Sequence, residues 1–169
     1  MKINNISIVI PVLNEEKNLN NLVYQIKRVK DEMKVDKFEL IFVDDNSNDN
    51  TQQILINLKK KYKFLKCFFR NNKKKDLSKS CILGFKKSVY KNILVMDGDL
   101  QHPPRYIKTL SKMFFEKKAD IVVGSRNLYK KKSPGLSYFR YICSLTIIYL
   151  INFFLDNKTS DPLSGFCLL

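Results

Sequence analysis

Short apolar runs alternate with helical periodicities along this chain. The runs ISIVIPV, FELIFV, FLKCFF, NILVM and ADIVVG are rich in β-branched and aromatic residues, which is typical of buried strands. Between them, apolar residues recur at spacings of three and four, as in Leu19, Leu22, Val23 and Ile26, which predicts helices. This β-α-β-α order predicts an α/β fold, a mainly parallel sheet flanked by helices on both faces.

Size, charge and cysteine usage narrow the class of protein. The chain has 169 residues and is 44% hydrophobic, which suffices for one domain with a core. Its net charge of +15 favours a polyanionic partner, namely nucleic acid, anionic lipid or a phosphorylated substrate. The four cysteines show no C-x-x-C spacing, and the single His102 cannot complete a zinc site. The N-terminus lacks the features of a signal peptide, so we expect a reduced, cytoplasmic setting.

Polar residues follow four of the five predicted strands directly. These clusters are PVLNE after the first strand, DDNS after the second, DGDLQ after the fourth and GSR after the fifth. In parallel α/β sheets, ligands bind beyond the carboxyl ends of the strands. We therefore expect the active face at that edge of the sheet.

Asp97 and Asp99 are the candidate metal ligands. Two carboxylates two residues apart on an extended segment project to the same side and repel each other unless a cation joins them. Mg²⁺ or Mn²⁺ suits such oxygen ligands, Gln101 offers a further oxygen, and Gly98 allows a diphosphate to approach the backbone. The alternative is an ordinary turn in which one aspartate caps the next helix.

Other charged residues at the same edge are candidates for binding a nucleotide. Asp45 can accept hydrogen bonds from a base or ribose, and Glu15 can do so from ribose hydroxyls. Arg126 and Arg140 are suitable bidentate ligands for phosphate. For each carboxylate the alternative is helix capping, and for each arginine it is a surface salt bridge.

The segment Tyr138–Leu155 is apolar and aromatic. Its last 15 residues carry no charge, which is fewer than the ~20 needed to cross a bilayer. One interpretation is a core helix. The other is a helix lying in the membrane interface, with the preceding lysines on lipid headgroups.

Five motifs together resemble one enzyme family. SIVIPVLNEEKNL, FELIFVDDNSNDNT, NILVMDGDLQHPPRYI, DIVVGSR and DPLSGF are similar, in order and spacing, to the inverting nucleotide-sugar glycosyltransferases of the polyprenyl-phosphate (dolichol-phosphate mannose synthase-like) branch. The resemblance implies a nucleotide-binding fold of the GT-A type and dependence on a divalent metal. It also implies transfer of one sugar from a nucleotide donor to a lipid phosphate at the cytosolic face of a membrane.

The same resemblance implies roles for individual residues. It places Pro11, Leu13, Glu15, Val43 and Asp45 around the nucleoside, and Asp97, Asp99 and Gln101 on the metal, with Gly98 beside the diphosphate. Arg126 and Arg140 would neutralise the donor and acceptor phosphates, while Ser144 and Asp161 would contact the acceptor or sugar. His102 is interpreted as a structural group.

Two departures from the family pattern affect these expectations. NKKKDLSKS stands where relatives usually carry a glycine-rich turn, so donor contacts of that loop are altered. The sequence ends at Leu169, soon after DPLSGF, so we expect a shortened catalytic domain. The predicted organisation is a nucleotide-sugar-binding domain at 1–137, an interfacial or acceptor-side helix at 138–155 and the start of an acceptor-side segment at 156–169.

The sequence thus predicts a membrane-associated glycosyltransferase, peripheral on the cytosolic face, that transfers mannose from GDP-mannose to polyprenyl phosphate. The alternatives are a soluble nucleotide-sugar enzyme, such as a nucleotidyltransferase, and an inactive basic binding module. The five glycines form neither G-x-G-x-x-G nor G-x-x-x-x-G-K, which argues against a dehydrogenase or a P-loop enzyme. Nucleic acid is not an expected partner.

Overall fold

The computed structural model describes residues 5–35, 37–71, 73–125, 149, 161 and 164–169. Within these residues it contains strands and helices in the predicted alternation. The strands are β1 (Asn5–Val12), β2 (Lys37–Asp44), β3 (Leu65–Phe69), β4 (Ile93–Val95), β5 (Val122–Val123) and β6 (Cys167–Leu168). The helices are α1 (Leu19–Met33), α2 (Thr51–Lys61), α3 (Leu77–Lys87) and α4 (Tyr106–Lys117).

These strands form one sheet in the order β3-β2-β1-β4-β6-β5. β1 pairs in parallel with β2 and β4, and β2 pairs in parallel with β3, which confirms the mainly parallel α/β fold. Strand β6 was not predicted from the sequence. It pairs antiparallel with both β4 and β5 and so joins them within the sheet.

Both faces of the sheet are covered, as predicted. Ile6, Ile8 and Ile10 of β1 belong to a large buried cluster with the apolar faces of α1, α2 and α4. Val9, on the opposite face, packs with Ile41 in a smaller cluster that includes side chains of α3. Strands buried on both faces need apolar residues at successive positions, which is why β1 and β2 read as continuous apolar runs.

Glu39 is a buried carboxylate in β2, near the amino edge of the sheet. Its Oε1 accepts hydrogen bonds from the Ser7 hydroxyl and the Val89 backbone N–H, both at 2.6 Å, and its Oε2 lies 2.6 Å from Lys66 Nζ. Burial by itself raises the pKa of Glu39, but the hydrogen bonds from Lys66, Ser7 and Val89 outweigh it, and the pKa lies below its ordinary value. Glu39 therefore joins β1, β2, β3 and the α3–β4 connection.

The segment Tyr138–Leu155 falls outside the described residues except for Tyr149, which is helical and exposed. The choice between a core and an interfacial helix, and the domain limits at 137 and 155, therefore stay predictions. Among the residues that the structure describes, no helix combines the length and apolar character required to span a bilayer.

Candidate functional site

An open cleft of about 420 Å³ lies at the carboxyl edge of the sheet, where the sequence places the site. Seven residues predicted to bind the nucleotide sugar line it: Pro11, Leu13, Glu15, Asp45, Asp97, Gly98 and Asp99. Four further residues line it that the sequence did not indicate: Val12, Lys75, Asp76 and Leu77. The cleft thus combines the ends of β1, β2 and β4 with the loop that follows β3.

Side chains lock the β1–α1 loop to the β2–α2 loop beside this cleft. The Asn14 backbone N–H donates to Ser47 Oγ at 2.9 Å, and the Asn48 N–H donates to Asn14 Oδ1 at 2.8 Å. The Glu15 N–H donates to Thr51 Oγ1 at 2.8 Å. Small polar side chains compete well for backbone groups in loops. The polar residues after β1 and β2 therefore fix the backbone of one wall of the cleft.

Glu15 is a half-buried carboxylate in that wall. Burial raises its pKa, a hydrogen bond from Asn18 Nδ2 at 2.6 Å opposes the rise, and the negative charges of Asp99, Asp49 and Asp97 add to it. The pKa of Glu15 consequently lies above its ordinary value. The negative charges of the acidic residues at the cleft therefore repel one another.

Asp97 and Asp99 follow directly after β4 and are both half-buried. Asp99 Oδ1 accepts a hydrogen bond from the Gln101 N–H at 3.0 Å, which closes a turn over Leu100. Gly98 is tightly packed, since a side-chain carbon there would lie 2.9 Å from Val12 Cγ1. A side-chain carbon at Gly165 would lie 2.7 Å from Asp97 Oδ2, so Gly165 packs directly against this carboxylate.

The carboxylate oxygens of Asp97 and Asp99 are suited to a divalent cation that is also coordinated by the phosphates of a ligand. Asp97 and Asp99 offer carboxylate oxygens, which suit Mg²⁺ or Mn²⁺. Within the described residues, no three His, Cys, Asp or Glu side chains are arranged to hold an ion between them. Mg²⁺ is commonly held by one or two carboxylates together with substrate phosphates. Two aspartates beside an open cleft match that arrangement.

Asp45 makes strong contacts within the protein. One of its oxygens forms an ion pair with Arg70, and Oδ2 accepts a hydrogen bond from the Asp76 N–H at 2.5 Å. Both members of the ion pair are buried. Asp45 therefore holds the loop after β3, in addition to lining the cleft where a base or ribose was predicted.

Val43, Gln101 and Asp161 lie elsewhere than expected, whereas His102 has the kind of environment that was predicted for it. The Val43 side chain is fully buried with Val9 and Ile41, so it packs in the core and does not line the cleft. The Gln101 side chain is exposed and does not line the cleft either. His102 is buried and stacks on Phe166 with ring centroids 5.1 Å apart, in keeping with a structural role. Asp161 is almost fully buried, and its carbonyl accepts from the Ser164 N–H at 3.3 Å.

Arg126, Arg140 and Ser144 lie outside the described residues. Their predicted contacts with the donor and acceptor phosphates therefore stay predictions.

Sequence reasoning missed Arg70, Lys75, Asp76, Leu77 and the packing of Gly165. A usable signal existed for the first of these, because Arg70 directly follows β3 at the same edge as the other polar clusters. Gly165 had no local signal, since its neighbour Asp97 lies far away along the chain.

A mainly parallel sheet with a carboxylate-lined cleft at its carboxyl edge defines the chain as an α/β protein with a fold of the GT-A type. The chain belongs to Glycosyl transferase family 2, which its residues 7–168 match.

Individual relatives agree with this assignment. The chain is 33% identical, over 97% of its length, to dolichol-phosphate mannosyltransferase of Pyrococcus furiosus, of which it covers 46%. This similarity confirms the resemblance to the dolichol-phosphate mannose synthase-like branch. The chain thus spans about half the length of that curated relative.

Two solved structures share the fold. Glucosyl-3-phosphoglycerate synthase from Mycobacterium tuberculosis, in complex with Mn²⁺, uridine diphosphate and phosphoglyceric acid, superposes with a TM-score of 0.72 at 18% identity, covering 98% of this chain and 55% of that one. Mannosyltransferase PcManGT from Pyrobaculum calidifontis, in complex with GDP-Man and Mn²⁺, gives a TM-score of 0.61 at 14% identity, covering 74% of this chain and 36% of that one. At these identities the likeness establishes the fold.

Proposed function

We propose that this protein transfers mannose from GDP-mannose to a polyprenyl or dolichyl phosphate, with inversion at the anomeric carbon. The observation that carries the proposal is the cleft lined by Glu15, Asp97, Gly98 and Asp99 in a chain of Glycosyl transferase family 2. The sugar and acceptor follow the name of the Pyrococcus furiosus relative, and the donor follows the GDP-Man held by the Pyrobaculum calidifontis neighbour.

Asp97 and Asp99 would hold Mg²⁺ or Mn²⁺ on the donor diphosphate. Gln101 would contribute through its backbone N–H, which donates to Asp99 Oδ1, because its side chain does not line the cleft. The bound ion would supply positive charge that stabilises the leaving diphosphate. Two structural neighbours hold Mn²⁺, which supports the use of a divalent metal. Pro11, Leu13, Glu15 and Asp45 would surround the nucleoside. The role of Val43 would be limited to its backbone, because its side chain is buried.

In the reaction, an acceptor phosphate oxygen forms a bond to the anomeric carbon while the bond from that carbon to the donor diphosphate breaks. The nucleoside diphosphate leaves with the electron pair. A phosphate is already anionic near neutral pH, so the site needs no strong general base, in keeping with His102 being packed against Phe166. Arg126 and Arg140 would stabilise the donor and acceptor phosphates, and Ser144 would contact the acceptor. The part of Asp161 on the acceptor side would be structural, because the residue is almost fully buried.

Calorimetric titration tests the donor site. The whole chain is titrated with GDP, UDP, GDP-mannose and UDP-glucose, in Mn²⁺ and in EDTA. We expect metal-dependent binding of GDP and GDP-mannose, and a loss of roughly tenfold or more in affinity for Asp97→Asn and Asp99→Asn. Asp31→Asn is the matched control, because Asp31 is exposed on α1 away from the cleft. If both cleft variants bind GDP with the same metal-dependent affinity as the unmodified protein, the assignment of Asp97 and Asp99 to the metal site is wrong.

The acceptor and the membrane need separate measurements. Transfer of radiolabelled mannose to a polyprenyl phosphate in detergent micelles tests the acceptor class, with the free lipid alcohol as the control. Flotation with anionic vesicles tests whether the protein is peripheral on a cytosolic membrane face. An interfacial helix at Tyr138–Leu155 predicts co-flotation that persists at high salt, since its apolar contacts are not screened.

A further inference from the structure

The loop between β3 and α3 forms one side of the cleft. It runs from Arg70 to Asp76, and α3 begins at Leu77. Lys75, Asp76 and Leu77 line the cleft together with Glu15, Asp97 and Asp99.

The buried side chain of Arg70 holds the backbone of this loop. Its guanidinium is buried, forms the ion pair with Asp45, and donates to the carbonyl of Asp76 at 2.8 Å and that of Lys74 at 3.3 Å. The Asp76 N–H in turn donates to Asp45 Oδ2. The backbone on both sides of Lys75 is thus bound to one buried ion pair. The backbone position of Lys75 beside the cleft is therefore fixed, although its side chain is long and flexible.

Lys75 also has a distinctive charge for its position. Of the described residues that line the cleft, five are carboxylates and Lys75 alone is cationic. Asp45 forms the ion pair with Arg70, and Asp76 lies near Lys79, whose Nζ is 3.3 Å from Asp76 Oδ2. The negative charges of Asp97 and Asp99 contribute to the raised pKa of Glu15. A cation that lines this acidic cleft can offset the repulsion between its carboxylates and an entering diphosphate.

We infer that Lys75 is a donor-binding residue that contacts the phosphates of the nucleoside diphosphate, and that the Arg70–Asp45 ion pair positions it. This inference rests on the proposed function, because it assigns a further contact in the same donor site. An ammonium group on a phosphate makes a charge-assisted hydrogen bond, which is stronger than a bond between neutral groups.

The test compares two lysines of the same loop. Lys75→Gln and Lys73→Gln remove the same charge, and both lysines are exposed, but only Lys75 lines the cleft. GDP is titrated in Mn²⁺, and guanosine affinity is obtained by competition with GDP. We expect Lys75→Gln to weaken GDP binding roughly five- to thirtyfold and to leave guanosine binding within about twofold. Lys73→Gln should change neither affinity by more than about twofold, and Lys75→Arg should restore most of the affinity for GDP.

The outcomes separate this inference from the proposed function. If the unmodified protein binds no nucleotide, the proposed function fails and the inference fails with it. If the unmodified protein shows metal-dependent GDP binding that Lys75→Gln leaves intact, only the inference is overturned. Equal losses of GDP affinity in Lys75→Gln and Lys73→Gln would show that the effect comes from the overall positive charge of the loop. That outcome would overturn the assignment of a phosphate contact to Lys75. Equal losses for GDP and guanosine would move the contact from the phosphates to the nucleoside.

The positioning role of Arg70 is tested by a double-mutant cycle. Arg70→Lys should weaken GDP binding in the unmodified protein but have little further effect when Lys75 is already glutamine, because Arg70 acts through Lys75. Additive losses would show that Arg70 acts on the donor by another route and would overturn this part of the inference.

Discussion

Two glutamates at opposite edges of the same sheet are in opposite electrostatic situations. Glu39, towards the amino edge, receives hydrogen bonds from Ser7, Lys66 and Val89, and its pKa is lowered. Glu15, at the carboxyl edge, lies among other carboxylates, and its pKa is raised. The first arrangement stabilises the fold, whereas the second leaves negative charge gathered at a cleft. Perturbed carboxylates of the second kind are typical of functional sites.

Asp45 shows that position at the carboxyl edge does not alone decide this difference. It lines the same cleft as Glu15 but forms a buried ion pair with Arg70. The edge therefore contains both a carboxylate bound in an ion pair and a carboxylate, Glu15, whose pKa is raised by burial and by neighbouring negative charges. The contacts that each carboxylate makes, rather than its position at this edge, therefore decide which of the two kinds it is.

The largest expected effect is on this buried ion pair. Arg70→Met should lower the free energy of unfolding by about 3–5 kcal/mol, because it leaves the charge of Asp45 buried without its partner. Chemical denaturation measures the change. Lys79→Met, which removes the exposed partner of Asp76, is the control and should have little effect. Similar stabilities for the two variants would mean that Asp45 is not held as the structure shows.

The next effect concerns the amino edge. Glu39→Gln should lower the free energy of unfolding by about 1–3 kcal/mol, because the amide keeps an acceptor oxygen but loses the charge that faces Lys66. Glu116→Gln, an exposed residue 3.9 Å from Lys112 Nζ, should change it little. Affinity for GDP should be the same in both variants. A change in GDP affinity for Glu39→Gln would show that the two edges are coupled.

A smaller effect of opposite sign is expected in the cleft. Asp99→Asn should raise the free energy of unfolding by about 0.5 kcal/mol in EDTA, since it removes one repelling charge from a partly solvent-screened site. The amide oxygen can still accept from the Gln101 N–H. Denaturation in EDTA measures this change in the free energy of unfolding. Asp120→Asn, at an exposed residue that does not line the cleft, is the control. A clear loss of stability would place Asp99 among the structural carboxylates.

The smallest effect is in the pH dependence of stability, for which the two glutamates have opposite signs. The raised pKa of Glu15 means that the folded state binds its proton more tightly, so stability contributed by Glu15 is lost as pH rises from 4.5 through the folded pKa. The lowered pKa of Glu39 gives stability that is present above 4.5 and lost as pH falls through the folded pKa.

Denaturation in EDTA between about pH 3 and pH 7 measures both slopes. Glu15→Gln should flatten the curve above 4.5, and Glu39→Gln should flatten it below 4.5. Equal curves for the two variants would contradict the assigned shifts.

The strands and helices followed from local patterns. Apolar runs predicted β1 to β5, and apolar residues three and four apart predicted α1 to α4. The position of Asp97 and Asp99 was predictable for the same reason, because they directly follow an apolar run in a parallel sheet. These inferences need only residues that are close together in the chain.

The partners of several polar side chains were decided by the tertiary structure. Glu39 lies inside an apolar run, and nothing near it in the sequence indicates that it bonds Ser7, Lys66 and Val89. The pairing of β6 with β4, and the packing of Gly165 on Asp97, join segments far apart along the chain. A carboxylate in a sequence has the same chemistry whether it is later paired or left in a cleft. Only the folded chain brings the cation or the second carboxylate within reach, and that contact sets whether the residue stabilises the fold or remains available to a ligand.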